Sequence, residues 1–223
     1  MSAGIHPLAN AIAALARGIS GVRVRWAGCQ PEVKQRIYFA NHTSHLDFVV
    51  LWSALPGEVR ARTRPVAAKD YWEKGIKAYL ALNVFRAVMV RRGGIAQAGS
   101  EVAAIAEARA TIDQLAEAMG ETESLIIFPE GTRGTGEAIA PFRSGIYYLA
   151  KRRPEVELVP VYIENLNRIL PKGEVIPVPL VCLLTFGAPM HIGDAEDKAS
   201  FLERASAAMH ALRRKGHLQA WVR

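Results

Sequence analysis

Two short blocks of the 223-residue sequence concentrate groups able to move protons and hold anions. The first is NHTSHLD at 41–47, directly after the apolar RIYFA. His42 and Asp47 stand five residues apart in it. Across a strand-to-helix turn, a carboxylate at that distance can fold back onto the imidazole and fix its tautomer through Nδ1. Nε2 is then left to accept a proton from a hydroxyl. The same carboxylate stabilises the imidazolium that forms. His45, two residues from Asp47, is too close for that cradle if Asp47 begins a helix. The spacing has a plainer explanation as well, because Asp47 at the head of LDFVVLWSAL could cap that helix. Thr43 and Ser44 suit turn hydrogen bonds, and Asn41 a turn, with no chemistry assigned to it.

The second block, FPEGTR at 128–133, follows the apolar run SLIIF. Its groups leave the strand at the carboxyl end, where α/β sheets bind ligands. Glu130 can accept hydrogen bonds from substrate hydroxyls, and Gly131 permits close backbone approach. Arg133 can grip a phosphate or carboxylate through two parallel N–H donors. A turn closed by an internal Glu130–Arg133 pair is the structural alternative.

The elements that must position these blocks follow from periodicity. Short β-type runs at VRVRW (22–26), RIYFA (36–40), PVAA (65–68), AVMVRR (87–92), SLIIF (124–128), ELVPVYI (157–163) and VPLVCLLTFG (178–187) read as strands. Between them, LDFVVLWSAL (46–55), DYWEKGIKAYLAL (70–82), 99–119, SGIYYLAKR (144–152) and 195–215 read as helices. In 99–119, Val102, Ile105, Ala106, Ala108, Ile112, Leu115 and Ala116 recur at helical spacing. A helix over the first 20 residues carries Leu8, Ile12, Leu15 and Ile19 on one face, with Pro7 near its start. The expected architecture is α/β: one domain, a mixed, mostly parallel central sheet flanked by helices, and an N-terminal amphipathic helix.

With both blocks in view, the chain resembles the glycerolipid acyltransferase family, the lysophosphatidate acyltransferase-like group. The family's NHxxxxD signature is matched by NHTSHLD and its FPEGTR signature by residues 128–133. AVMVRR resembles the family's middle motif, with Arg92 in the place of its arginine. LVPVYI carries the fourth block at Pro160, and APFRSGIYYLA places Arg143 where the family has a basic residue entering a helix. The resemblance runs from about residue 20 to about 190 and departs at Arg91, where relatives usually have an acidic residue. Arg91 is either a sign of a more anionic acceptor or an outward-facing surface residue.

The resemblance implies transfer of a fatty acyl group from a thioester, acyl-CoA or acyl carrier protein, to the hydroxyl of a lysophospholipid. The expected acceptor is 1-acyl-glycerol-3-phosphate and the product phosphatidate. His42 and Asp47 are the expected catalytic pair. Arg92, Glu130, Gly131, Thr132 and Arg133 are the expected acceptor-binding residues. Direct attack needs no cofactor, no metal and no Ser or Cys nucleophile. Acylation of another lipid hydroxyl, and a non-catalytic lipid-binding relative, are the competing readings. The implied division is an N-terminal amphipathic helix over 1–20 and an acyltransferase domain over 21–223.

Composition bounds the partners. The formal charge of +7 favours anionic ones, yet no nucleic-acid-binding signature is present. Two distant cysteines, Cys29 and Cys182, give no disulfide framework. No apolar run reaches the roughly 20 residues of a membrane span, and a signal peptide is not expected. The expected location is therefore the cytoplasmic side of the cell membrane, peripheral or monotopic. Arg60, Arg62, Arg64, Lys69, Lys151, Arg152 and Arg153 either form solvated surface or face anionic lipid or an acidic carrier protein. Tyr71 and Trp72 either anchor in the interface or pack in the core.

Overall fold

A computed structural model describes residues 7–44, 46–72, 74–91, 100–166 and 181–219. Seven strands form one sheet: β1 (Arg23–Trp26), β2 (Arg36–Ala40), β3 (Thr63–Ala68), β4 (Val88–Val90), β5 (Ser124–Ile127), β6 (Glu157–Glu164) and β7 (Leu183–Phe186), in the order β1-β7-β6-β2-β5-β3-β4. β6, β2, β5, β3 and β4 run parallel, whereas β7 is antiparallel to β6 and carries β1 parallel to itself. The mixed, mostly parallel α/β architecture is the one that the alternation of strands and helices implies.

The central strands are buried on both faces, which is why they read as continuous apolar runs. Along β2, Tyr38 and Ala40 join one core while Ile37 and Phe39 join the other. The first core is covered by α1 (Pro7–Ser20) and α2 (Asp47–Ala54), with Phe48, Leu51 and Trp52 packed inward. The second is covered by α6 (Glu101–Met119), α7 (Gly145–Arg152) and α8 (Lys198–Gln219). Each such large side chain contributes about 1.5–3 kcal/mol on burial. Shorter helices α3 (Gly57–Ala61), α4 (Lys69–Trp72) and α5 (Gly75–Tyr79) lie between them, and a π-helical turn spans Leu80–Val84.

Three expectations change. The predicted helix over 70–82 is broken, and α5 starts at Gly75, whose φ of +61° is outside the helical region. In α1, Ala9 and Ala13 face the core, whereas Leu8, Leu15 and Ile19 are exposed. The small alanines let α1 lie close on α2, leaving the larger apolar face outside. In α6 only the second half packs: Leu115, Ala116 and Met119 are buried, while Val102 (80% exposed) and Ile105 (56%) are not. Ser100 caps α6, its Oγ accepting from Ala103 N–H.

Several of the cations considered as surface groups are instead tied inside. Arg60 is buried, donating to Leu55 O and Asn10 Oδ1 and lying over the Trp52 ring. Arg64 donates to Arg86 O and Ala118 O, and Arg153 to Glu155, Ala116 O and Gln35. Trp72 packs edge-on against Phe48 at 5.2 Å, a core role.

Candidate active site

β2 and β5 are parallel neighbours in register, Phe39 opposite Ile127. Their carboxyl ends therefore deliver the 41–47 and 128–133 segments side by side, at the edge of a buried sheet. His42 Nδ1 lies 2.8 Å from Asp47 Oδ2. The same oxygen accepts the backbone N–H groups of Thr43 (2.5 Å) and Ser44 (2.8 Å). Asp47 thus turns back into the loop, and no side-chain bond caps α2. Oδ2 already accepts two backbone N–H groups, and in the tautomer that makes Nδ1–H its third donor, Nε2 carries the lone pair.

Asp47 is completely buried, while the His42 side chain retains 23% of its exposure. Among the described residues, Nε2 has no hydrogen-bond partner. The ring is held flat against Phe128, centroids 4.3 Å apart and planes 23° from parallel. Asp47 Oδ1 is buried without a hydrogen-bond partner among the described residues. The Cys182 thiol shares this core; burial first, and then the Asp47 carboxylate, push its pKa up to about 12, so it stays protonated. His45 and Arg92 lie outside the described residues.

Glu130 is buried, and both of its carboxylate oxygens meet backbone donors: Oε1 takes the His42 N–H at 2.7 Å and Oε2 the Ala140 N–H at 2.8 Å. Gly134 N–H adds a bond to His42 O at 2.8 Å. In this structure Glu130 ties the second block to the first, fixing the backbone of the histidine itself. Gly131 has a φ of +71°, and a Cβ there would fall 2.5 Å from Arg143 Nε. The backbone conformation is what requires the glycine, and the Arg143 side chain lies over its open face. Arg143 reaches that place because its own N–H bonds Pro129 O at 2.8 Å and its Nε meets Glu130 O at 3.3 Å. Thr132 and Arg133 are exposed on the outer rim of this turn.

Asn41 continues the sheet with its side chain. Its Nδ2 donates to Ile163 O (3.0 Å) and its Oδ1 accepts Ile163 N–H (2.7 Å), pinning the residue before His42 to β6. By sequence Asn41 suits a turn; its position one residue past a buried strand, where a free amide needs a partner, is the signal for this pairing. The contribution of Phe128 was likewise not drawn from the sequence. Pro160, opposite Phe39 in β6, accepts Gly187 N–H through its carbonyl. Arg91 follows β4, three strands from β2 and roughly 14 Å across the sheet, so the structure does not bring it to His42.

Residues 22–164 match the model of the Acyltransferase family. The chain belongs to the acyltransferase family. Similar curated proteins include the 1-acyl-sn-glycerol-3-phosphate acyltransferase of Limnanthes douglasii, 28% identical over 165 residues that make up 73% of this chain and 53% of that one. The human 1-acyl-sn-glycerol-3-phosphate acyltransferase alpha is 27% identical over 156 residues, covering 69% and 50% of the two chains. The chain thus spans about half the length of the curated relatives it matches. In fold it is similar to the crystal structure of the 1-acyl-sn-glycerophosphate (LPA) acyltransferase PlsC from Thermotoga maritima, with a TM-score of 0.69, 18% identity, and coverage of 97% of this chain and 80% of that one. The matched span contains His42, Asp47, Glu130 and Arg133 alike.

Proposed function

We propose that this acyltransferase moves a fatty acyl group from a thioester to the free hydroxyl of 1-acyl-glycerol-3-phosphate, giving phosphatidate. The observation that carries the reading is the His42–Asp47 pair, with Nδ1 committed to a buried carboxylate and Nε2 open. As the acceptor oxygen attacks the thioester carbonyl, Nε2 takes its proton and Asp47 stabilises the imidazolium. The tetrahedral intermediate collapses, the C–S bond breaks, and the imidazolium returns the proton to the departing thiolate. Thr132 and Arg133, exposed on the turn beside Glu130, hold the acceptor's phosphate, with Arg92 as a further cation in this reading. Gly131 gives the turn the backbone conformation that sets Thr132 and Arg133 at the rim, and Glu130 acts by fixing His42. The names of the similar curated proteins support the choice of acceptor.

The donor is acyl-CoA or acyl-acyl carrier protein, and the chain works at the cytoplasmic side of the cell membrane. Two apolar surfaces on the α1–α2 side support membrane attachment: Leu8, Leu15 and Ile19 of α1, and Ile76, Tyr79 and Leu82 of α5 and the π-helical turn. Among the described residues no helix is long and apolar enough to cross a membrane.

The test is acyl transfer to a panel of lysophosphatidate, glycerol-3-phosphate and neutral lysolipids, with His42→Ala as control. Lysophosphatidate should be acylated fastest, and His42→Ala should lower turnover by on the order of 10³-fold without altering the circular dichroism spectrum. Equal rates for wild type and His42→Ala would remove the histidine from the mechanism. Preference for another lysolipid would replace the acceptor.

A further inference from the structure

The first half of α6 carries apolar residues that no described part of the chain covers, and it forms one wall of a groove of about 1120 Å³ against α7. Ile105, Ile112 and Tyr148 line the groove, and the stripe continues along the helix through Val102. From residue 102 to residue 112 the helix rises about 15 Å, the length of just under three turns of a partner helix. The rim is basic. Asp113 pairs with Arg152 at 3.0 Å, and Arg91, Arg109, Arg143 and Lys151 line the groove against one further acid, Glu107. Lys151 donates to a carbonyl, Asp194 O at 3.4 Å, and lies over the Tyr147 ring at 5.9 Å, with no carboxylate paired to it among the described residues.

The groove is continuous with the catalytic turn. Arg143, on its wall, contacts Glu130 O, and the Glu130 carboxylate holds the backbone of His42. An apolar floor with a cationic rim is the complement of an amphipathic helix with acidic flanks. A bilayer surface is broad and does not enter a concave slot, whereas a helix fills one.

Resting on the acyl-transfer reading above, we propose that this groove docks an acidic helix of the protein that carries the acyl thioester, an acyl carrier protein, and so presents the thioester to His42. The basic rim steers the encounter, and Ile105 and Tyr148 provide the apolar contact. Arg91, distant from His42 across the sheet, then has a role at the rim.

The experiment uses the full chain, with the same fatty acyl group on acyl carrier protein and on coenzyme A, and the variants Arg109→Glu, Lys151→Glu and Ile105→Asp. All three positions are exposed or at the groove rim, and unchanged melting curves establish that the variants fold. With the carrier-protein donor, kcat/KM should fall about tenfold in each variant and decline further with added salt. With the coenzyme A donor it should stay within about twofold. Equal losses with both donors overturn the proposal, because the groove would then bind something common to them. No loss with either donor overturns it as well. Loss that tracks only cosedimentation with phosphatidylglycerol vesicles assigns the groove to membrane and overturns it too. Binding of acyl carrier protein by titration calorimetry separates this proposal from the acyl-transfer reading. Binding that Arg109→Glu abolishes supports the dock even if no acceptor is acylated, and absence of binding overturns the dock even if coenzyme A supports turnover.

Discussion

At the residue scale, the site is built by two buried carboxylates that accept backbone N–H groups. Asp47 Oδ2 collects two backbone N–H groups besides the imidazole, and those donors hold the carboxylate against His42. Glu130 does for the backbone of His42 what Asp47 does for its ring. This arrangement separates two roles that one carboxylate could have. If Glu130 held the acceptor's hydroxyls, its replacement by glutamine would chiefly raise the acceptor's KM. If it positions His42, glutamine places an amide NH₂ against a backbone N–H, and the turn shifts. Glu130→Gln should therefore lower kcat by about tenfold or more with little change in either KM, and reduce stability by about 1–3 kcal/mol from the unpaired buried donor. Steady-state kinetics with both substrates varied, together with urea denaturation, check this. An effect confined to acceptor KM would return Glu130 to the substrate.

At the scale of the elements, the sheet places the chemistry, and the strands adjoining the site have their ends locked to each other by side chains. Asn41 is the clearest case, since both its amide groups pair with the backbone of Ile163 in β6. Asn41→Ala would leave a buried N–H and a buried C=O of Ile163 without partners, a cost of about 2–4 kcal/mol. It should also loosen the residue preceding His42, so that turnover falls while the acceptor KM changes little. Denaturant titration and the same kinetic assay measure both. The strands and the two signature blocks were legible because a doubly buried strand must be an apolar run and a catalytic turn must follow it without a break. What the sequence hid was partnership. Nothing in FPEGTR shows that Glu130 faces the N–H of a residue 88 positions earlier. Periodicity reports that a face is apolar, not what covers it. Thus Val102 and Ile105 share the helical stripe of Leu115 yet stand in the open, and the leucine face of α1 points away from the core that its alanines touch. In the aromatic segment, the apolar pattern continued through Gly75, but the backbone did not.

At the scale of the whole molecule, the two ends of the sheet have divided tasks. The carboxyl ends of β2 and β5 lead into the turns that carry His42 and Glu130. The opposite end is closed by charge: Arg36, only 2% exposed, bonds Glu157 Oε2 at 2.9 Å and Gln30 O at 2.7 Å, and Lys34 meets the other oxygen of Glu157. Arg36 and Glu157 are register partners at the starts of β2 and β6, so the pair clamps the two strands that Asn41 clamps at the other end. Burial alone would push the Glu157 carboxyl up, but the bonds from Lys34 and Arg36 outweigh it and hold the group below the usual carboxylate range. A carboxyl whose pKa is lowered by folding stabilises the fold above its ordinary value of about 4.3, and that contribution disappears as the pH drops through the folded value. Glu157→Gln should consequently cost about 3 kcal/mol at neutral pH, largely because it leaves the buried Arg36 charge with only the exposed Glu32 carboxylate, at 3.3 Å. The gap in melting temperature between wild type and variant should be constant from neutral pH down to about pH 5 and narrow below about pH 4, as wild-type Glu157 takes up its proton. Melting curves collected across that range decide the matter: a gap that keeps its size into acid would mean that shape and hydrogen bonding, and not the charge on Glu157, hold the starts of β2 and β6 together.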